Sequence, residues 1–233
     1  MIREIIVETL SERAYREVKE SIMNNELLPN QVIPIGFLAR SLGISRTPVR
    51  EALARLSAEG LVCREAHRKP RVSRITETDV CQVYEVRRLL EPYLAGMMAA
   101  KISECVELRE YLTKLRSLAE GIYRTPALEI DYQDFVRVDL QLDVILLQGA
   151  GDSLLGEILA FVGNRSLRVR TFVEQESDTA LYTVIAKEHL EIIKLLLDGD
   201  REKSFGAVKQ HLVNAEDRTL RAVRRKLVCS EQF

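Results

Sequence analysis

Two of the three histidines in this 233-residue chain stand where antiparallel helices would bring them level. His189 lies 10 residues before Gly199, and His211 lies 11 after Asp200. If the chain folds back at Gly199-Asp200, each imidazole sits about 15–17 Å from the turn, at about 1.5 Å of rise per residue. Upstream, Asp139 and Asp143 are spaced i, i+4 and share one helix face. Two carboxylates and two imidazoles converging in a helical bundle make a site for a divalent ion. The plainer alternative for either histidine, taken alone, is a hydrogen-bonded helix residue. A second cluster has different chemistry. In the segment Leu38–Leu56, the apolar Leu38, Leu42, Val49, Leu53 and Leu56 are spaced to bury one face, and Arg46, Thr47 and Arg50 gather off that face. They stand at the start of a helix, the end that enters a DNA major groove in helix-turn-helix proteins. Arginine can donate two hydrogen bonds to a guanine edge. Threonine and arginine can equally hold phosphate, aided by the helix N-terminus.

The elements that must position these groups follow from caps, breaks and periodicity. Ser11 can cap a first helix, over 12–25, with Tyr15, Val18 and Ile22 on one face. A short helix is expected over 35–41, a turn at Leu42-Gly43-Ile44-Ser45, and a third helix over 46–59. Pro48 falls in its first turn, where a missing N–H costs little. Two short strands, at 61–64 and 71–73, flank the basic turn Ala66-His67-Arg68-Lys69-Pro70. Three helices and a basic hairpin predict a winged helix-turn-helix over 1–75. In the second domain, 76–233, every segment from 76 to 227 reads as helix, over 76–101, 103–121, 127–148, 152–173, 178–198 and 201–227, with Ser103 capping the second. Connections this short force antiparallel neighbours, so the second domain is expected to be a helical bundle. The fold class is mainly α, with one small β-hairpin wing.

Composition agrees. Hydrophobic residues make up 46% and charged residues 30%, enough for buried cores and against global disorder. No apolar run approaches the roughly 18 residues of a membrane span. Charges interrupt the apolar residues at the N-terminus, which does not read as a signal peptide. Four scattered cysteines without a CxxC pair suit a reducing cytoplasm rather than a disulfide frame. The net charge of −1 hides an asymmetry: residues 30–75 hold 9 basic against 3 acidic side chains. That balance suits a polyanionic partner for the first domain, although a solvated charged face reads the same on charge alone.

The run Leu38-Ala39-Arg40-Ser41-Leu42-Gly43-Ile44-Ser45-Arg46-Thr47-Pro48-Val49-Arg50-Glu51-Ala52-Leu53-Ala54-Arg55-Leu56 resembles the signature of the GntR family of bacterial transcription regulators. The resemblance implies DNA contacts from Arg46, Thr47 and Arg50, and a wing, His67, Arg68 and Lys69, that reaches the minor groove. Arg68 stands where the family commonly has glycine, and Gly36 where many relatives carry a polar or charged residue. Asn25 and Asn30 occupy positions that are commonly glycine. Further on, Tyr84-Glu85-Val86-Arg87-Arg88-Leu89-Leu90-Glu91-Pro92 resembles the opening of the all-helical FCD effector domain of the FadR subfamily. Many members of that subfamily hold a divalent metal with one aspartate and three histidines. Asp139, His189 and His211 match that pattern, and Asp143 replaces the first histidine. A carboxylate there can still ligate, favouring harder ions such as Mn²⁺, or the site has lost its metal. Arg87 matches an arginine near the effector pocket, with an ion pair to Glu91 as the equal alternative. Tyr84 lies one turn earlier on the same face.

The expectation is a homodimeric, ligand-responsive regulator of the cytoplasm, most often a repressor in this family. Its partners would be a double-stranded DNA operator and a small carboxylate effector, held through a divalent metal such as Zn, Ni or Mn. In a second reading the metal is itself the signal, or only structural. A metalloenzyme is the third, but the chain lacks a motif such as HExxH, and an enzyme would not explain the N-terminal module.

Overall fold

The computed structural model describes residues 8–65, 68–102, 104–150, 153–174 and 179–230. The chain divides into two compact units, one of residues 1–76 with 167–172 and one of 77–166 with 173–233.

The first unit opens with α1 (Leu10–Met23). Its N-cap is Thr9, whose hydroxyl accepts from the Glu12 N–H at 3.1 Å. Ser11, the cap expected from sequence, lies inside the helix: of two hydroxyl residues that flank Leu10, the earlier one has the extended backbone that a cap requires. Helix α2 (Ile35–Leu42) ends at Gly43, whose φ of 66° and N–H bonds to the Ala39 and Arg40 carbonyls make a left-handed cap. Helix α3 (Arg46–Ala58) buries Val49, Ala52, Leu53 and Leu56. These meet Ala14, Tyr15, Val18 and Ile22 of α1 in one core. A polar lock secures the same packing. The Tyr15 hydroxyl donates to Glu59 at 2.7 Å and Lys19 donates to the Tyr15 oxygen at 2.8 Å. Arg55 lies 3.8 Å over the Tyr15 ring and donates to Glu12 at 2.7 Å. The wing is the antiparallel pair β1 (Val62–Cys63) and β2 (Arg71–Val72), in the register Val62 to Val72 and Cys63 to Arg71. Alternation turns Val62 and Val72 into the core and leaves Cys63 and Arg71 outside. Asn25 and Asn30 both take positive φ, 58° and 67°, consistent with their standing at glycine-type turn positions.

The second unit is helical among the described residues: α4 (Glu77–Ile102), α5 (Val106–Arg124), α6 (Tyr132–Ala150), α8 (Thr179–Leu197) and α9 (Arg201–Ser230), with α7 (Leu154–Glu174) except for its residues 167–172, which count with the first unit. The expected helix over 127–148 is interrupted: a 3₁₀ turn (Ala127–Glu129) precedes it. Helix α6 then starts under Asp131, whose carboxylate accepts from the Gln133 N–H at 2.7 Å. Ser103, expected to cap the next helix, lies outside the described residues, and α5 begins with Cys105 at its N-cap. Helix α4 packs along α9, and α5 along α8. Gly199, at φ 72°, turns α8 back into α9, and the Asp200 side chain caps the new helix by accepting from the Lys203 N–H at 3.0 Å. No helix among the described residues is long and apolar enough to cross a membrane.

Candidate DNA-binding face and candidate metal centre

Burying Val49, Ala52, Leu53 and Leu56 fixes what α3 shows to solvent. Arg46, Thr47 and Arg50 are all exposed in its first two turns, and that first turn holds no acidic residue. The Arg46 guanidinium lies over Gly36, 3.7 Å from where a β-carbon would stand, with the Arg40 guanidinium 3.8 Å from the same point. A side chain at position 36 would therefore press against both cations. Between α3 and the wing runs a groove of about 330 Å³, lined by Arg50, Leu53, Arg64, Glu65, Arg68, Pro70 and Ile35. The fold thus brings Arg50 and Arg68 to one concave surface. Arg68 pairs with Glu65 at 2.8 Å. Lys69 lines a second groove with Arg68, Arg71 and Arg74. His67 lies outside the described residues. Arg55 turns instead to α1, in the lock around Tyr15.

In the helical unit, α8 and α9 carry His189 and His211 to ring centroids 4.9 Å apart. Helix α6 adds Asp139, and one ligand atom from each of Asp139, His189 and His211 lies within 4.8 Å of the other two. His189 is 1% exposed, and neither ring nitrogen has a hydrogen-bond partner among the described residues. Its Nε2 is 3.4 Å from the Asp139 Oδ1, close enough to pair electrostatically but outside hydrogen-bond geometry. Donor atoms on an ion with bonds of about 2.0–2.2 Å sit roughly 3–3.6 Å apart, so this pair already has the spacing. The widest pair would close by about 1 Å. A buried imidazole without a partner costs about 1–3 kcal/mol, a penalty that a bound ion would remove.

The sequence suggested four converging groups, and three converge. Asp143 lines the same cavity but is not one of the three; its Oδ1 accepts from the Arg87 guanidinium at 3.4 Å. Arg87 is 4% exposed and also donates to both oxygens of Glu91, at 2.6 and 3.3 Å. Tyr84 does not line the cavity: it is 1% exposed, its hydroxyl 3.0 Å from that of Thr219, with Arg87 5.2 Å over its ring. The cavity, about 20 Å³, has room for one water or one ion. Its lining sets one guanidinium against three carboxylates, Glu91, Asp139 and Asp143, so a divalent cation would balance it.

One participant went unread in the sequence. The His211 Nδ1 lies 2.7 Å from the Glu188 Oε2, and Glu188 also accepts from Asn214 at 2.8 Å and from both Arg218 terminal nitrogens at 2.9 and 2.8 Å. Burial would raise the Glu188 pKa, but bonds from His211, Arg218 and Asn214 outweigh it and hold the carboxyl well below its ordinary range. Burial lowers the His211 pKa, helped by the neighbouring His189, against the bond to Glu188. The signal was present: His211, Asn214 and Arg218 are spaced i, i+3, i+7, one polar stripe on one helix face.

Comparison with known proteins matches each of the two parts of the chain to a described family. Residues 10–72 match the family described as "Bacterial regulatory proteins, gntR family", and residues 82–214 match the FCD domain. A relative in Bacillus subtilis, the uncharacterized HTH-type transcriptional regulator YdhC, is 24% identical over 199 residues, covering 85% of this chain and 84% of its own. Among solved structures, a GntR transcriptional regulator from Rhodococcus sp. RHA1 superposes with a TM-score of 0.72 at 22% identity, over 90% of this chain and 97% of the other. The Zn²⁺-bound FCD domain of TM0439 superposes with a TM-score of 0.52 at 21% identity, over 64% of this chain and 96% of its own.

Proposed function

We propose, for a chain that belongs to the GntR family of bacterial regulatory proteins and carries the FCD domain, a cytoplasmic, homodimeric repressor that responds to a small carboxylate through a divalent metal. Members of this family are transcription regulators that bind DNA, not enzymes. The observation that carries the metal is His189, a buried imidazole whose two nitrogens have no hydrogen-bond partner among the described residues, beside Asp139 and His211. When bound, the metal would supply a Lewis-acidic point for an effector oxygen. Asp139, His189 and His211 would hold it and leave coordination positions open. Arg87, at the cavity wall, is the cation for an effector carboxylate, with Tyr84 supporting it from behind. Asp143 is the residue an effector anion would exchange with on Arg87.

On the DNA side, Arg46, Thr47 and Arg50 read or clamp the major groove, while Arg68, Lys69 and His67 serve the wing. Residues 1–75 form the DNA-binding domain, and 76–233 the sensing and dimerisation domain. Apolar side chains on α4 and α7 support the homodimer: Leu89 and Tyr93 are 70% and 55% exposed, and Leu154, Ile158 and Phe161 form a second stripe. Effector binding would shift the population between arrangements of the two DNA-binding domains.

A second reading, in which the metal is itself the signal, is favoured by one observation: a cavity of about 20 Å³ admits an ion but no organic effector unless side chains move. The test is a mobility shift on the protein's own promoter with metal-loaded and chelated protein, each with and without a panel of small carboxylates. The effector reading expects release by a carboxylate only with metal present. Release on chelation alone selects the second reading. Zinc- and manganese-free protein that binds DNA and responds to ligand would end both.

A further inference from the structure

We propose that Glu188 is the positioning residue of the metal centre, holding His211 by Nδ1 so that its Nε2 lone pair is left for the ion. The inference rests on the metal reading above and names a residue that the ligand set omits.

The argument runs through obligate donors. Asn214 Nδ2 donates to Oε1 of Glu188 at 2.8 Å, and the Arg218 guanidinium donates to Oε1 and Oε2 at 2.9 and 2.8 Å. An amide nitrogen and a guanidinium have no acceptor role, so both carboxylate oxygens are acceptors here. The remaining partner, the His211 Nδ1 at 2.7 Å from Oε2, must then carry its proton. A neutral imidazole has one N–H only. With that proton on Nδ1, Nε2 is a bare lone pair on a ring that lines the cavity with Asp139 and His189. Metal-binding histidines are generally oriented in this way, their second nitrogen donating to a carboxylate that fixes the tautomer and raises ligand basicity.

His189 has no such anchor among the described residues. The two imidazoles are therefore unequal: His211 is oriented before any ion arrives, while His189 has only its packing and the Asp139 carboxylate 3.4 Å from its Nε2. Glu188 and His189 are neighbours on α8, whereas His211, Asn214 and Arg218 lie on one stripe of α9. The same four bonds that orient the ligand thus also fix the register of the two helices. Arg218, with two bonds to the carboxylate, holds Glu188 against rotation.

The experiment compares wild type, Glu188→Ala and Glu188→Gln. Long-range ¹H–¹⁵N imidazole spectra of the metal-free proteins report the His211 tautomer, and zinc titration reports affinity. Wild type is expected as the Nδ1–H form. Glu188→Ala loses that form and binds zinc about 10–100-fold more weakly. Glu188→Gln, whose amide oxygen can still accept from Nδ1, recovers part of both. A wild-type His211 protonated at Nε2 overturns the proposal without any variant, so misfolding of Glu188→Ala cannot shield it. A folded Glu188→Ala with wild-type zinc affinity overturns it as well. If wild type shows the Nδ1–H form and takes up no zinc, the metal reading fails, and the ligand-positioning role of Glu188 falls with it; the tautomer result tells that failure apart from the other two.

Discussion

Replacing His189 with leucine should reverse the stability order of mutant and wild type according to whether metal is present. In the metal-free protein the His189 imidazole is 1% exposed with both nitrogens unpartnered among the described residues. Leaving such a group unsatisfied costs about 1–3 kcal/mol. Leucine has similar bulk and no polar atom, and the adjoining cavity of about 20 Å³ gives its branch room. The chelated mutant should therefore be more stable by about 1–3 kcal/mol. For a domain of roughly 150–250 residues each kcal/mol moves Tm by about 2–4 °C, so a rise of about 2–12 °C is expected. In zinc at about 1,000 times its Kd, wild type gains about 4.1 kcal/mol by mass action, while the mutant, with a ligand gone, gains little. The two melting curves should exchange order. Thermal denaturation at pH 8, in EDTA and in zinc, measures both. A chelated mutant that melts below wild type refutes the reasoning, because His189 would then be doing something favourable in the absence of an ion.

Arg46→Ala and Arg50→Ala, both remote from the α3 core, should each weaken operator binding by about 1–3 kcal/mol if the arginine reads a base bidentately. Fluorescence anisotropy with operator DNA and unrelated DNA separates base reading from phosphate contact, and unchanged affinity in both folded variants removes these residues from the DNA face. Asp143→His should restore the family's ligand set and raise affinity for Zn²⁺ or Ni²⁺; because the change also removes Arg87's partner at 3.4 Å, calorimetric titration should show tighter metal binding in a slightly destabilised protein. Unchanged or weaker metal binding means position 143 does not reach the ion. For the chelated protein, pH acts on the metal centre through two groups whose folded pKa values are lowered. His211 is lowered from 6.5, so acidification below about 6.5 protonates the unfolded chain first and stability falls. Glu188 is lowered from 4.5, so a second loss begins as pH drops through about 4.5 and continues toward its lower folded value. Urea midpoints from pH 8 to pH 4 should therefore fall in two stages, and a midpoint that rises between pH 7 and pH 5.5 contradicts the burial of a neutral His211.

The sequence alone carried everything that depends on spacing along one helix or on a single turn. The apolar positions Val49, Leu53 and Leu56 define the buried side of α3, which leaves Arg46, Thr47 and Arg50 for solvent whatever else the fold does. The height match of His189 and His211 is likewise arithmetic, because 1.5 Å per residue and a fold-back at Gly199 leave little freedom. Tertiary structure decided what depends on distances between helices. Asp139 and Asp143 are equivalent in sequence, one turn apart on one face. Only the packing of α4 beside α6 puts Arg87 within 3.4 Å of the second while the first meets His189. Glu188 reads as an ordinary charged helix residue until α9 presents three donors to it. The choice of Thr9 over Ser11 as cap turned on backbone angles that two hydroxyl residues two positions apart do not reveal. Periodicity assigns a side chain to a face, a one-dimensional property. Which partner that face meets is set by how closely the helices approach, and by which charges can be satisfied once water is excluded.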